Sequence, residues 1–319
     1  MVSLVKNILK IASLFGVLVL LWGSYAMANA KYFLIEEDTE DYHLTTYDLS
    51  TKSLYGIDRK VTLYNLILKN RTWTNYRKEQ LSEKKDNSSL ILFSVLPDLN
   101  SNIDWFEVSL DTIEGQIVLY SQLKKLFYEN TVSFMNGQNK ETTKYFNSYK
   151  PVLKKGKQFF VPKNCLLEFY VVNNRPDIFS NPYGTINTQL SPISILEFAE
   201  IFKKSNPNEK FPLYTIGEDN TYTSFDRTRD RREYLSRVLQ LPKGITAYQF
   251  WTYSDWFGQS FNYIYDRGID RFVYHPSKGI IGGSFDFYFY FNRKKLPIGY
   301  TDFMQNIKEE KVMIADNYK

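Results

Sequence analysis

The chain has one cysteine, Cys165, among 319 residues, so no intrachain disulfide can form. A core of the size this length allows carries the stability without one. Cys165 opens the strand-like run Asn164-Cys165-Leu166-Leu167-Glu168-Phe169-Tyr170 and reads as a small buried hydrophobe rather than a nucleophile or an intermolecular pairing site. Histidine is almost missing as well: His43 and His275 stand alone, with no motif around either. Two scattered imidazoles and one thiol lack the ligand spacing of a zinc site, so neither a metal nor a cofactor is expected. A strong surplus of one charge is also lacking. The formal balance is +5, too slight and too dispersed for a nucleic-acid face. There is no internal repeat and no low-complexity tract.

Long apolar runs are missing everywhere but at the start. Lys6 and Lys10 precede the apolar run Ile11–Trp22, which ends in Gly23-Ser24-Tyr25-Ala26-Met27-Ala28-Asn29-Ala30. A positive head, a short greasy stretch and a small-residue exit are the parts of a secretory signal peptide. Two overlapping sites fit, Ala26-Met27-Ala28 and Ala28-Asn29-Ala30, and the second puts cleavage after Ala30. A spanning helix needs about 20 apolar residues, more than this run supplies, so a retained anchor is the weaker reading. The expected product is exported to the periplasm or beyond, with no transmembrane span after cleavage. Losing residues 1–30 leaves 289 (319 − 30) and lowers the charge to +3, because the leader carries two Lys and no acid.

What is abundant is aromatic: 17% of residues, chiefly Tyr and Phe. Strands are expected at Lys31–Ile35, Thr45–Leu49, Val61–Leu68, Leu90–Leu96, Ile103–Leu110 and Leu166–Val172. Asp111 and Glu114 have capping-box spacing for a helix carrying Leu119, Leu123 and Leu126. Ser191-Pro192 has the chemistry to start a helix through Lys203, with Ile195, Leu196, Ala199 and Phe202 on its core face. Asp230 and Glu233 do the same for a helix presenting Tyr234, Leu235, Val238 and Leu239, which Pro242 stops. Ile245–Tyr253, Phe261–Tyr265, Arg271–His275 and Ser284–Asn292 follow as strands, joined by turns such as Pro276-Ser277-Lys278-Gly279. The last alternates Phe285, Phe287, Phe289 and Phe291 with Asp286, Tyr288, Tyr290 and Asn292, which sends the two sets to opposite faces of a sheet.

The fold class expected is therefore α+β: a C-terminal antiparallel β-meander packed against helices, with a β-rich N-terminal lobe. The polar stretch Asn136–Lys157 divides residues 31–150 from 151–319, unless it is a surface loop within one continuous domain.

Enzyme templates fail. Ser260 in Gly258-Gln259-Ser260-Phe261-Asn262 is one glycine short of a nucleophile elbow. The His275–Gly283 stretch has Lys278 on the wrong side of the glycines for a phosphate loop. The interleaved acids and bases of Asp226–Glu233 read as local pairing on a solvated surface, and the acidic run Glu36–Asp41 lacks the internal glycine and ligand spacing of a calcium loop. Binding is thus expected rather than catalysis, with no catalytic residue assigned. The expected contact surface joins Tyr288, Tyr290 and Asp286 to Tyr263 and Tyr265, with Trp251, Asp255 and Trp256 in the adjoining turn, since exposed aromatic clusters mark contact sites. The expected partner is another protein in or outside the bacterial envelope, as for an inhibitor or immunity-type factor. The alternative is a glycan-binding protein or a carboxylate-dependent glycan hydrolase, whose mark would be paired carboxylates in an aromatic cleft.

Overall fold

A computed structural model describes residues 31–37, 39–68, 88–118, 149–172, 174, 184–208, 211, 232–253, 269–291 and 296–319. The expected leader, the 119–126 part of the helix expected from Asp111 and the expected strand Phe261–Tyr265 lie outside them. From the start run β1 (Lys31–Ile35), β2 (Tyr42–Ser50), α1 (Lys52–Tyr55), β3 (Lys60–Leu68) and β4 (Ser88–Leu96). Then come β5 (Trp105–Val108), α2 (Leu110–Ile113), β6 (Ile117–Val118), β7 (Tyr149–Lys155), β8 (Gln158–Pro162), β9 (Asn164–Val172) and β10 (Thr185–Ile186). The chain continues through α3 (Ile195–Ser205), β11 (Arg232–Leu241), β12 (Ile245–Tyr253), β13 (Arg271–His275) and β14 (Gly279–Ser284). It ends in α4 (Asp286–Phe291), α5 (Tyr300–Lys308) and β15 (Met313–Ile314).

The strands form three five-stranded sheets, ordered β5-β8-β7-β1-β6, β10-β9-β4-β3-β2 and β11-β12-β13-β14-β15. Most neighbours are antiparallel; β1 runs parallel to β6 and β7, and β10 to β9. The protein is a sheet-rich α+β molecule. Residue 150 falls inside β7, which pairs with β1, while β9 pairs with β4, so strands from either side of it share sheets.

The second sheet lies in the middle. On β4, Ile91, Phe93 and Val95 join a core with Phe33 and Ile35 of β1 and Leu153 of β7. Leu90, Leu92 and Leu96 join a different core with Phe250, Phe272 and Ile280 of the third sheet. Alternate side chains leave a strand on opposite faces, so a strand covered on both reads as a continuous apolar run. That is why Leu90–Leu96 was legible. Asn65 of β3 is a polar exception that ties the two sheets together. Its Oδ1 accepts from the Ile280 N–H at 2.7 Å and its Nδ2 donates to the Ile280 carbonyl at 2.9 Å, as a neighbouring strand would. Gly279 beside it has φ +77°, and a Cβ there would stand 2.6 Å from Asn65 Oδ1.

Three expected elements are corrected. The helix expected to start from Asp111 and Glu114 is cut short: α2 ends at Ile113, its N-cap is Ser109 with no side-chain cap, and Ile117–Val118 is already the strand β6. Residues 232–241 form the strand β11, not a helix. The register with β12 shifts between Leu235 and Arg237, and the bulge at Ser236 resets the inward alternation that marks a strand. The spacing of Tyr234, Leu235, Val238 and Leu239 then imitates a helical stripe. Residues 286–291 form α4, not the end of an aromatic strand; β14 stops at Ser284. Phe285, Phe287, Tyr288 and Phe289 are all buried, so the Phe/Tyr alternation does not separate a wet face from a dry one. A short segment whose described side chains are all buried carries no periodicity to read. Helix α3 starts three residues later than expected: Ser194 accepts from the Glu197 N–H, and Glu197 reaches back to the Ser194 N–H, a complete capping box. Leu196, expected on its core face, is 52% exposed.

Candidate functional site

Of the residues expected to form a contact surface, Trp251, Tyr288 and Asp286 lie in the interior and four others lie outside the described residues. Trp251 is 1% exposed; its ring stacks on Tyr234 at 4.6 Å between centroids, and its Nε1 donates to the Ile193 carbonyl. Tyr288 is buried, donating its hydroxyl to the Pro97 carbonyl at 2.5 Å. Asp286 is 2% exposed. Tyr290 lies on α4, where the sheet face expected for it is replaced by helix. Asp255, Trp256, Tyr263 and Tyr265 are outside the described residues. Trp251 and Asp286 line the same small space in the core, and Trp251, Tyr288 and Asp286 are buried rather than on an open face.

Asp286 belongs to a buried polar knot at the start of α4. Its carboxylate takes Arg271 in a two-pronged pair, Nη1 to Oδ2 at 2.5 Å and Nη2 to Oδ1 at 3.3 Å. The Tyr55 hydroxyl donates to Oδ1 at 2.9 Å and accepts from the Phe285 N–H at 2.8 Å. Arg271 Nε donates to the Lys311 carbonyl at 3.0 Å. Burial pushes the Tyr55 hydroxyl well above its ordinary value, and the Asp286 carboxylate adds to the rise. Burial alone would lower the Arg271 guanidinium, but Asp286 and Tyr55 outweigh it and hold the arginine above its ordinary value. Both charges are dry and paired, which is the condition for keeping them inside.

A second polar junction centres on Glu310, just past α5. Its backbone is left-handed at φ 54°, an uncommon conformation for a residue with a Cβ. The turn is held by Lys311 N–H to the Asn306 carbonyl at 2.9 Å and Gln249 Nε2 to the Glu310 carbonyl at 2.7 Å. The strained turn aims the carboxylate inward. It accepts from the Ile195 N–H in the first turn of α3, from the Ser236 hydroxyl at the β11 bulge, and from Arg237 at 3.1 Å.

Against this junction lies a groove of about 340 Å³. Leu54, Leu239, Leu241, Val312 and Ile314 give it apolar lining, and Ser53, Arg237, Gln240, Glu309 and Lys311 a polar rim, with Gln249 buried beneath. The rim charges are mutually paired: Arg237 with Glu310, and Lys311 with Glu309 at 2.7 Å. The groove thus offers apolar surface and neutral hydrogen-bonding groups. Its lining comes from α1, the β11–β12 hairpin and the C-terminal tail, so no local motif announced it, and reading β11 as a helix hid Arg237, Leu239 and Leu241. The one usable signal was the chain end itself, where Glu309-Glu310-Lys311 abuts Val312-Met313-Ile314.

The remaining candidates make local contacts. The Nδ1 of His275 accepts from the Ser277 N–H at 3.2 Å in the β13–β14 turn, and burial with Lys278 nearby lowers the imidazole's pKa. Burial pushes the Cys165 thiol up to about 12. Glu36 of the acidic run pairs with Lys154 of β7 at 2.8 Å. Among the described residues no group of three or more His, Cys, Asp and Glu side chains is placed to hold a metal, and no helix is long and apolar enough to cross a membrane. No protein-family model, curated protein or solved structure matches the chain.

Proposed function

We propose that the chain is an exported protein of the bacterial envelope that works by binding another protein, as an inhibitor or immunity-type factor does, through the groove between β11 and the C-terminal tail. One observation carries this reading: apolar lining inside a polar rim, within the range of about 300–1,000 Å³ common to ligand sites. An apolar anchor from the partner loses water against Leu239, Leu241 and Ile314, while Gln240 and Ser53 fix its orientation. The leader motif ending at Ala30 supports export. The glycan alternative draws no support from this groove, because no aromatic ring on which a sugar stacks is among its described lining residues.

The test is affinity capture from the native cells with the mature chain and with Ser53→Trp/Gln240→Trp, which crowds the groove from two exposed positions. Loss of a specific partner from the crowded variant, with its melting temperature unchanged, is the expected result. The same partners at equal yield would contradict the groove.

A further inference from the structure

Beside the Arg271–Asp286 pair is an enclosed space bounded by Ile195, Trp251, Thr252, Asp270, Asp286 and Ile307, which leaves about 10 Å³ for the centre of a water-sized sphere. Thr252 is 4% exposed, and its Oγ1 has no hydrogen-bond partner among the described residues. Its backbone is spoken for, since the N–H donates to the Asp270 carbonyl at 2.9 Å. An unmatched hydroxyl at this depth costs about 1–3 kcal/mol, so an arrangement that leaves it unmatched is disfavoured.

We propose that this space is a binding site for one ordered water molecule, held by the Thr252 hydroxyl, the Asp270 carboxylate and the Arg271 guanidinium. Three features select water. The volume matches the roughly 10–15 Å³ that a single water needs, and four lining residues, Thr252, Asp270, Arg271 and Asp286, are polar, whereas cavities that stay dry are apolar. Arg271 uses three of its guanidinium N–H groups on Lys311 and Asp286, and a guanidinium has five, so donors remain for a water oxygen. The same guanidinium repels a metal cation. The water accepts from Arg271, donates to Asp270 and pairs with Thr252, a set of three partners typical of internal water. It joins β12, the residue preceding β13 and β13 itself at the point where α3 and α5 close over them.

A high-resolution crystal structure of the mature chain should show a density peak at hydrogen-bonding distance from Thr252 Oγ1 and Asp270. Water-oxygen magnetic relaxation dispersion should count one fewer long-lived internal water in Thr252→Val than in the parent, with Thr252→Ser keeping the parent count. An empty space in the parent crystal would overturn the proposal. So would a metal ion at the position, or a Thr252→Val protein that keeps both the peak and the parent count.

Discussion

The second and third sheets bury a face against each other, yet they are held by different forces. In the second, β4 and β9 present Leu90, Leu92, Leu166 and Tyr170 to one side and Ile91, Phe93, Leu167 and Phe169 to the other. Most of the side chains buried there are apolar, with Ser94 of β4 and Glu168 of β9 as polar exceptions; Glu168 accepts from the Ile269 N–H at 2.8 Å. The third sheet shares that core but carries the Arg271–Asp286 pair, the Asn65–Ile280 bridge and the Glu310 junction inside it. An apolar sheet tolerates loss of a side chain in proportion to the volume removed. A sheet built on buried polar partners fails at single atoms, because the group left behind has nowhere to turn. The same contacts set the position of the C-terminal tail, and through it the groove.

The largest expected effect is therefore in the third sheet. Asp286→Ala leaves Arg271 charged and unpaired in the core, and removing one member of a buried pair costs about 3–5 kcal/mol; chemical denaturation should show that loss or no folded protein. Leu92→Ala in the second sheet tests the other half of the comparison: an apolar truncation costs about 2–5 kcal/mol, according to how far the site collapses, with β2 and β3 keeping their slow hydrogen exchange. Asn65→Ala frees the N–H and carbonyl of Ile280 together, at about 1–3 kcal/mol for each group left unsatisfied. Its mark is loss of exchange protection at Ile280 with little change in β4. A Leu92→Ala protein less stable than both polar variants would reverse the comparison.

The smallest effect is a pH dependence. Lys163, Ser101 and the Asn100 N–H hold the Asp98 carboxyl well below the usual carboxylate range. A carboxyl depressed in the folded chain adds stability above its unfolded value of about 3.9, and that stability is lost as pH falls through the folded value. The gap in melting temperature between the parent and Asp98→Asn should be widest near neutrality and shrink on acidification below about pH 4. A constant gap would show that the loop does not depend on the ionised form.

The same division explains what could be read from the residues. Lys31–Ile35, Leu90–Leu96, Ile245–Tyr253 and Arg271–His275 are runs whose side chains report burial directly, and they form strands close to their expected limits. Where a polar group decides the structure, pattern misled. Ser236 turns inward to meet Glu310 and breaks the alternation of β11. Asp286 pairs with Arg271 at the first residue of α4, inside a segment that looked like the most regular strand in the chain. Trp251 and Tyr288 looked like contact residues because Tyr and Trp carry polar tips, but those tips are satisfied inside, on Ile193 and Pro97. Of the groove, only its hydrophobic types were visible; its assembly from α1, β11, β12 and the chain end depends on contacts far apart in sequence.

The central claim is that the mature chain meets its partner outside the cytosol through the groove beside Glu310. Photo-crosslinking in the native cells measures this directly, with a benzophenone amino acid at Leu241 in the groove or at Ile201 on the exposed side of α3. A discrete adduct from Leu241 in the envelope or medium fraction, carried by a chain beginning at Lys31 and absent from Ile201, is the result predicted here. Equal adducts from both positions, or a Leu241 adduct found only in the cytosol on a chain still beginning at Met1, would contradict it.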